Sequence, residues 1–352
     1  MRALPVVVFL AGPLLWGQED PLTAPPELQA FARRMAMAAP SNRGKLQAIL
    51  AGIFRPVEDG GLGMVYDNSR TRTVTEVWQE RKANCISLTA LYVSACRSVG
   101  LETHYAEPLN TNRWRRVGSV IRFERHVVAL APLPPLEDAV ADFLPQLRRR
   151  VGSYLVTPLS ESRFRALFFS NKAVESLEQG LLDLALEESR HSVQVDPTSA
   201  VGWNIQGVVR KELGQMDEAE RCFRKAIALD PKDGTSVGNM EMLARSQDRL
   251  EEAARFRKLG LELRKKDPYF HAFLAGEAIT AGKWEEALQE IRAAIKLQPY
   301  DPEFFLLQAR VQLQQGEIGA ATRSLEQARR WALPGERERF DSKLAAIKRS
   351  AG

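Results

Sequence analysis

Between residues 25 and 55 the apolar positions recur three and four apart, first in PELQAFARRMAMA and again in RGKLQAILAGIF, which predicts two amphipathic helices. The next stretch, VEDGGLGMVYDNSRTR, is polar and glycine-rich and predicts a loop. TVTEVWQERKA predicts a short helix and a polar turn. A longer helix opens at Asn84-Cys85 with a stripe of Leu88, Leu91, Tyr92, Ala95, Cys96 and Val99, and Gly100 ends it. Beyond that glycine the period falls to two. LETHYAEP, RWRRVGSVIRF, RHVVALAP and DAVADFLP predict four strands. One helix bearing a cysteine, followed by and packed on an antiparallel sheet, is an α+β layout.

The second half has a different rhythm. Ala185, Ala219, Ala253, Ala287 and Ala321 are each 34 residues apart. Seven residues after each alanine stands a small residue: Ser192, Ala226, Gly260, Ala294 and Ala328. Five before each stand Gly180, Gly214, Asp248, Gly282 and Gly316. Paired helices pack closely only where small residues face each other, and the tight turn within a pair needs a residue that tolerates positive φ. Within AVGWNIQGVVRKELGQMDEAERCFRKAIALDP, Trp203, Gly207, Gly214, Ala219, Phe223, Ala226 and Pro231 resemble the tetratricopeptide repeat. The resemblance implies an all-α solenoid of five repeats over 168–333, with 334–352 as a C-terminal capping helix and a groove that binds a protein or peptide partner. The third repeat is the most divergent, with Glu241 and Asp248 at small positions and its proline, Pro268, three residues late.

Chemistry enters at the N-terminus. Arg2 precedes an uncharged, mostly apolar run from Ala3 to Trp16, too short to span a bilayer. Residues 1–18 therefore predict a signal peptide, and an exported protein, periplasmic or secreted, with no stable membrane span once the signal is removed. Cys85, Cys96 and Cys222 are an odd number of thiols. On one helix Cys85 and Cys96 lie about 16 Å apart, beyond the ~7 Å that a disulfide allows, and free thiols are expected. The formal net charge is +5, and the excess falls in the first half.

Cys85 reads two ways. It starts the buried stripe of its helix and fits a core thiol. It also stands at a helix N-terminus, where the macrodipole favours thiolate, and is followed in the chain by His126 and Asp142 on successive predicted strands. An imidazole takes a thiol proton and returns it to a leaving amine, and a carboxylate orients the imidazole.

TVTEVWQERKANCISLTALYVSACRSVGLETHYAE, the RHVV strand and AVADF together resemble the transglutaminase-like core of the papain-like cysteine fold. The resemblance implies a transglutaminase-like domain, placed here at 25–160, with Cys85 as nucleophile, His126 as base and Asp142 as orienting acid. Many bacterial members join this core to tetratricopeptide repeats. By analogy with papain-like enzymes Gln79 is an oxyanion candidate beside the Cys85 N–H. Where the family often carries glycine before the cysteine and tryptophan after the histidine, this chain has Ala83 and Val128. The family includes transamidases, peptidases, amidases and inactive forms.

His104 is expected to be structural, and His191 and His271 to lie at surface or packing positions. No His/Cys cluster has metal-ligand spacing, and no cofactor or metal is expected. Arg113, Arg115, Arg116, Arg122 and Arg125 with Trp114 fit a solvated hairpin or a rim for acidic substrate better than nucleic-acid contact in an exported protein. Two functions remain: a cysteine protease/amidase or transamidase whose repeats bind a protein, or a non-catalytic interaction scaffold with a relic triad.

Overall fold

The computed structural model describes residues 20–37, 39–108, 113–117, 120–124, 126–135, 138–143, 156–332 and 337–351. The expected signal segment, residues 1–18, lies outside them, as do Arg125 and Arg148 to Arg150. The chain divides into two compact units, Met1–Glu102 and Thr103–Gly352. The division runs inside the span 25–160.

In the first unit, helix α1 (Pro26–Met37) buries Leu28, Phe31, Ala32 and Ala36, and α2 (Asn42–Phe54) buries Leu46, Ile49 and Ile53. The two approach closely because Gly52 has no side chain: a Cβ there would sit 2.6 Å from the Met35 sulfur. The glycine-rich stretch that follows turns through Val57–Asp59 and forms a short strand, β1 (Val65–Tyr66). Helix α3 (Val74–Glu80) starts on a reciprocal cap between Thr73 and Glu76. Strand β2 (Lys82–Ala83) then pairs in parallel with β1 and delivers the chain to α4 (Cys85–Arg97). Helix α4 is the centre of this unit, with every residue from Ile86 to Val93 buried. The Tyr92 hydroxyl donates to the Leu46 carbonyl, and Ser94 Oγ to that of Leu22.

The second unit opens with β3 (His104–Pro108), β4 (Arg113–Val117), β5 (Val120–Glu124), β6 (Val128–Ala131), β7 (Ala139–Ala141) and β8 (Val156–Leu159). Four of these form an antiparallel sheet in the order β7-β6-β3-β8. Two strand expectations need correction. RWRRVGSVIRF is not one strand but two, β4 and β5, paired with each other in a separate ribbon in which Val117 is opposite Val120. A hairpin keeps the same alternation as a long strand, so periodicity alone does not separate them. The sheet also contains β8, which the pattern did not predict. Pro158 lies within it, and proline is tolerated there because β8 is an edge strand.

Five helix pairs follow: α5 (Glu161–Glu178) with α6 (Leu182–Val195), α7 (Ala200–Glu212) with α8 (Met216–Leu229), α9 (Gly234–Ser246) with α10 (Leu250–Arg264), α11 (Pro268–Thr280) with α12 (Trp284–Leu297), and α13 (Pro302–Gln314) with α14 (Ile318–Trp331). Helix α15 (Arg337–Ala351) closes the series, with Phe340 fully buried in a cluster with Leu325 and Ala328. The turn inside every pair has positive φ, at Gly180, Gly214, Asp248, Gly282 and Gly316. A Cβ at any of these four glycines would meet nothing within 4 Å, so backbone conformation, not space, is what selects them. Gly207 is different: a Cβ there would lie 2.6 Å from the Phe223 ring. From the second pair on, the first helix is capped by Ser199, Asp233, Asp267 or Asp301, a second register 34 residues apart that the sequence also carries. Pro268 is thereby corrected: it is not a late repeat-ending proline but the first residue of α11, where a missing N–H costs nothing.

Candidate active site

Cys85 is the first residue of α4, and Asn84 caps the helix. The Asn84 side-chain oxygen accepts from the Ser87 amide at 3.0 Å, and its carbonyl accepts from the Leu88 amide at 2.9 Å. The cap therefore does not consume the N–H groups of Cys85 and Ile86, the first two of the helix, and these favour negative charge beside them. Cys85 is only half-buried, whereas the eight residues after it are enclosed. The Cys85 thiol thus stands at the half-open N-terminal end of a helix whose next eight residues are buried.

The other two thiols are in contrasting surroundings. Cys96 is fully buried, and burial pushes its thiol up to about 12 against the opposing pull of the Tyr92 hydroxyl. Cys222 is buried in α8, its sulfur 3.5 Å from Gln206 Oε1, and burial raises it too. Both are core thiols.

The turn before Cys85 is shaped by Arg81, a non-glycine residue at φ 57° whose guanidinium lies over the Trp78 ring at 4.0 Å. Gln79, the oxyanion candidate, is exposed in the last turn of α3.

In the second unit β6 and β7 are adjacent, with Ala129 opposite Ala141. His126 lies two residues before β6, and Asp142 directly after β7. Their side chains meet: Nε2 is 2.8 Å from Asp142 Oδ1, with the histidine 5% and the aspartate 1% exposed. A carboxylate accepts, so Nε2 carries the proton, and Nδ1 is the basic nitrogen of the neutral ring. The structure thus brings two of the three predicted catalytic residues together. Cys85 belongs to the unit ending at Glu102, and the His126–Asp142 pair to the one beginning at Thr103.

The remaining histidines have other surroundings. His104 is half-buried on β3 opposite Leu130. His191 packs on the Phe169 ring at 5.4 Å. His271 ties α11 to its neighbours through Glu290 Oε2 at 2.6 Å and the Lys265 carbonyl at 3.0 Å.

Residues 29–135 match the family model of the transglutaminase-like superfamily, a span that holds Cys85 and His126 and stops short of Asp142. This segment is a transglutaminase-like domain. Residues 174–346 match the model of the Cilia and flagella-associated protein 70 C-terminal domain, a tetratricopeptide-repeat domain. The chain thus joins a transglutaminase-like domain to a tetratricopeptide solenoid, a composition that suggests a protein-interaction role. No curated protein matches the chain. Similar solved structures are repeat proteins. PilF of Pseudomonas aeruginosa is 19% identical, over 53% of this chain and 90% of that one, with a TM-score of 0.29. YrrB, titled a TPR protein with an unusual peptide-binding site, is 18% identical over 51% and 92%, at 0.28. A repeat protein from Parabacteroides merdae is 17% identical over 52% and 71%, at 0.29. Among the described residues no helix is long and apolar enough to cross a membrane.

Sequence reasoning missed Thr71, Arg72 and Ser87, all buried beside the start of α4. Thr71 and Arg72 lie in a stretch read only as loop, and no local pattern pairs a loop residue with a helix end more than ten residues on.

Proposed function

We propose that the transglutaminase-like domain is a cysteine enzyme acting on amide bonds of a protein or peptide, with the repeat groove binding a protein or peptide. The domain occupies about residues 25–160 and the five repeats 168–333, closed by the helix within 334–352. The half-buried Cys85 at the start of a helix buried from Ile86 to Val93 carries this reading, together with the buried His126–Asp142 pair. His126 Nδ1 takes the Cys85 proton, and Asp142 holds the ring through Nε2–H. The thiolate attacks the amide carbonyl carbon. A carbon–sulfur bond forms, the carbon–nitrogen bond breaks, and the imidazolium gives its proton to the leaving amine. Water or a second amine then displaces the thiolate from the thioester, which makes the reaction hydrolysis or transamidation. The amides of Cys85 and Ile86, with Gln79 as a further donor, stabilise the oxyanion. The charge pattern of residues 1–18 favours an exported protein.

The test is alkylation of each cysteine as a function of pH, read by mass spectrometry, in the wild type and in His126→Ala. Rapid modification of Cys85 well below about pH 8, lost in the variant, is expected of a thiolate–imidazole pair. A Cys85 as slow as Cys96 and Cys222 would leave a non-catalytic scaffold with a relic triad.

A further inference from the structure

Two loop residues reach into the first turn of α4. The Asn84 amide nitrogen donates to Thr71 Oγ1 at 2.8 Å, and the Asn84 oxygen accepts from the Ser87 amide at 3.0 Å. Ser87 Oγ in turn accepts from the Arg72 amide at 2.7 Å. The result is a ring: Thr71 holds the cap, the cap holds Ser87, and Ser87 holds Arg72, which follows Thr71 in the chain. Thr71, Arg72, Asn84 and Ser87 are all buried. The loop itself is anchored. The Arg72 guanidinium donates to Glu80 at 2.7 Å, to Asp67 at 2.8 Å and to the Arg70 carbonyl at 3.1 Å.

Capping needs far less. A single serine or aspartate would satisfy the Ser87 amide, and asparagine adds an NH₂ group that must find its own partner once buried. The ring instead fixes the orientation of the cap side chain and the pitch of the first turn. Those two features set where the Cys85 sulfur and the Cys85 and Ile86 amides point.

We propose that Thr71 and Ser87 are positioning residues that hold Cys85 at the open end of α4 in a reactive orientation. The inference rests on Cys85 being the nucleophile, and it adds a function for the loop at residues 67–72. Neither residue touches substrate in this role; both act through Asn84 and the helix backbone. Geometry of this kind is worth about ten- to a hundredfold in rate when it slips by an ångström.

The experiment measures the pH–rate profile of Cys85 alkylation alongside thermal stability in the wild type, Thr71→Val, Thr71→Ser and Ser87→Ala. Valine keeps the shape but removes the acceptor, whereas serine keeps the acceptor. The expected result is an about tenfold slower Cys85 in Thr71→Val and Ser87→Ala, with Thr71→Ser close to the wild type. Ser87→Ala serves as the second variant should Thr71→Val fold poorly. Folded variants that lose melting temperature yet keep the wild-type profile would overturn the positioning role while leaving the nucleophile intact. A wild-type Cys85 without activation would overturn both readings.

Discussion

Glu188 is a buried carboxylate in the solenoid. It is buried in α6, accepts a hydrogen bond from Ser176 Oγ at 2.6 Å, and burial pushes its carboxyl above the ordinary value against the pull of that bond and of Lys172. A carboxyl whose folded value is raised favours the fold in its protonated form. Its contribution is therefore complete below the ordinary glutamate value and is lost as pH rises through the folded one. Glu188→Gln keeps an oxygen for Ser176 and removes the charge. The variant should resist denaturant better than the wild type at neutral pH and lose that advantage in acid, which urea midpoints at the two pH values would show. The same competition between burial and charge acts on the Cys96 thiol. Cys96 is held protonated by its buried surroundings.

Repeats are built from turns and caps as much as from helices. Four of the five intra-pair turns use glycine in the left-handed conformation, and the third uses Asp248 at φ 56°. Aspartate adopts this region at a cost that glycine avoids. Asp248→Gly is expected to stabilise the solenoid by about 0.5–1 kcal/mol, seen as a higher thermal midpoint with unchanged helical circular dichroism. The third repeat is thus divergent at its turn without losing its helices. Its boundary with the fourth is sharp, because Asp267 caps α11 and Pro268 opens it. Helix α4 owes its burial to different means. Its stripe was legible from spacing, but its enclosure on all sides, with α1 and α2 in the same unit, is not an amphipathic feature.

The sheet belongs with the first repeat. Tyr105 on β3 stacks on Phe164 of α5, ring centroids 3.8 Å apart and 14° from parallel, and both side chains are buried. A stacked aromatic pair shared by a strand and a helix couples their unfolding. Phe164→Ala should cost about 3–5 kcal/mol, and hydrogen exchange should speed up in β3 and β6 together with α5. Protection lost from α5 alone would show that the sheet stands independently of the repeat. Both residues lie in the unit that begins at Thr103, and the division after Glu102 falls inside the span that matches the transglutaminase-like family.

Much of this was written into the local pattern. The period of 34, the left-handed turns, the helix opening at Asn84-Cys85 and the change of period after Gly100 follow from side-chain spacing and backbone preference, which act over a few residues. The choice of partners does not. Nothing local splits Arg113 to Glu124 into a separate ribbon, draws Val156 to Leu159 into the sheet past its proline, or joins Thr71 to Asn84. Strand order, the 2.8 Å approach of His126 to Asp142 and the ring around the start of α4 depend on which buried polar group finds which partner across the chain. Hydrophobic periodicity states which face is covered; only the packed chain states what covers it.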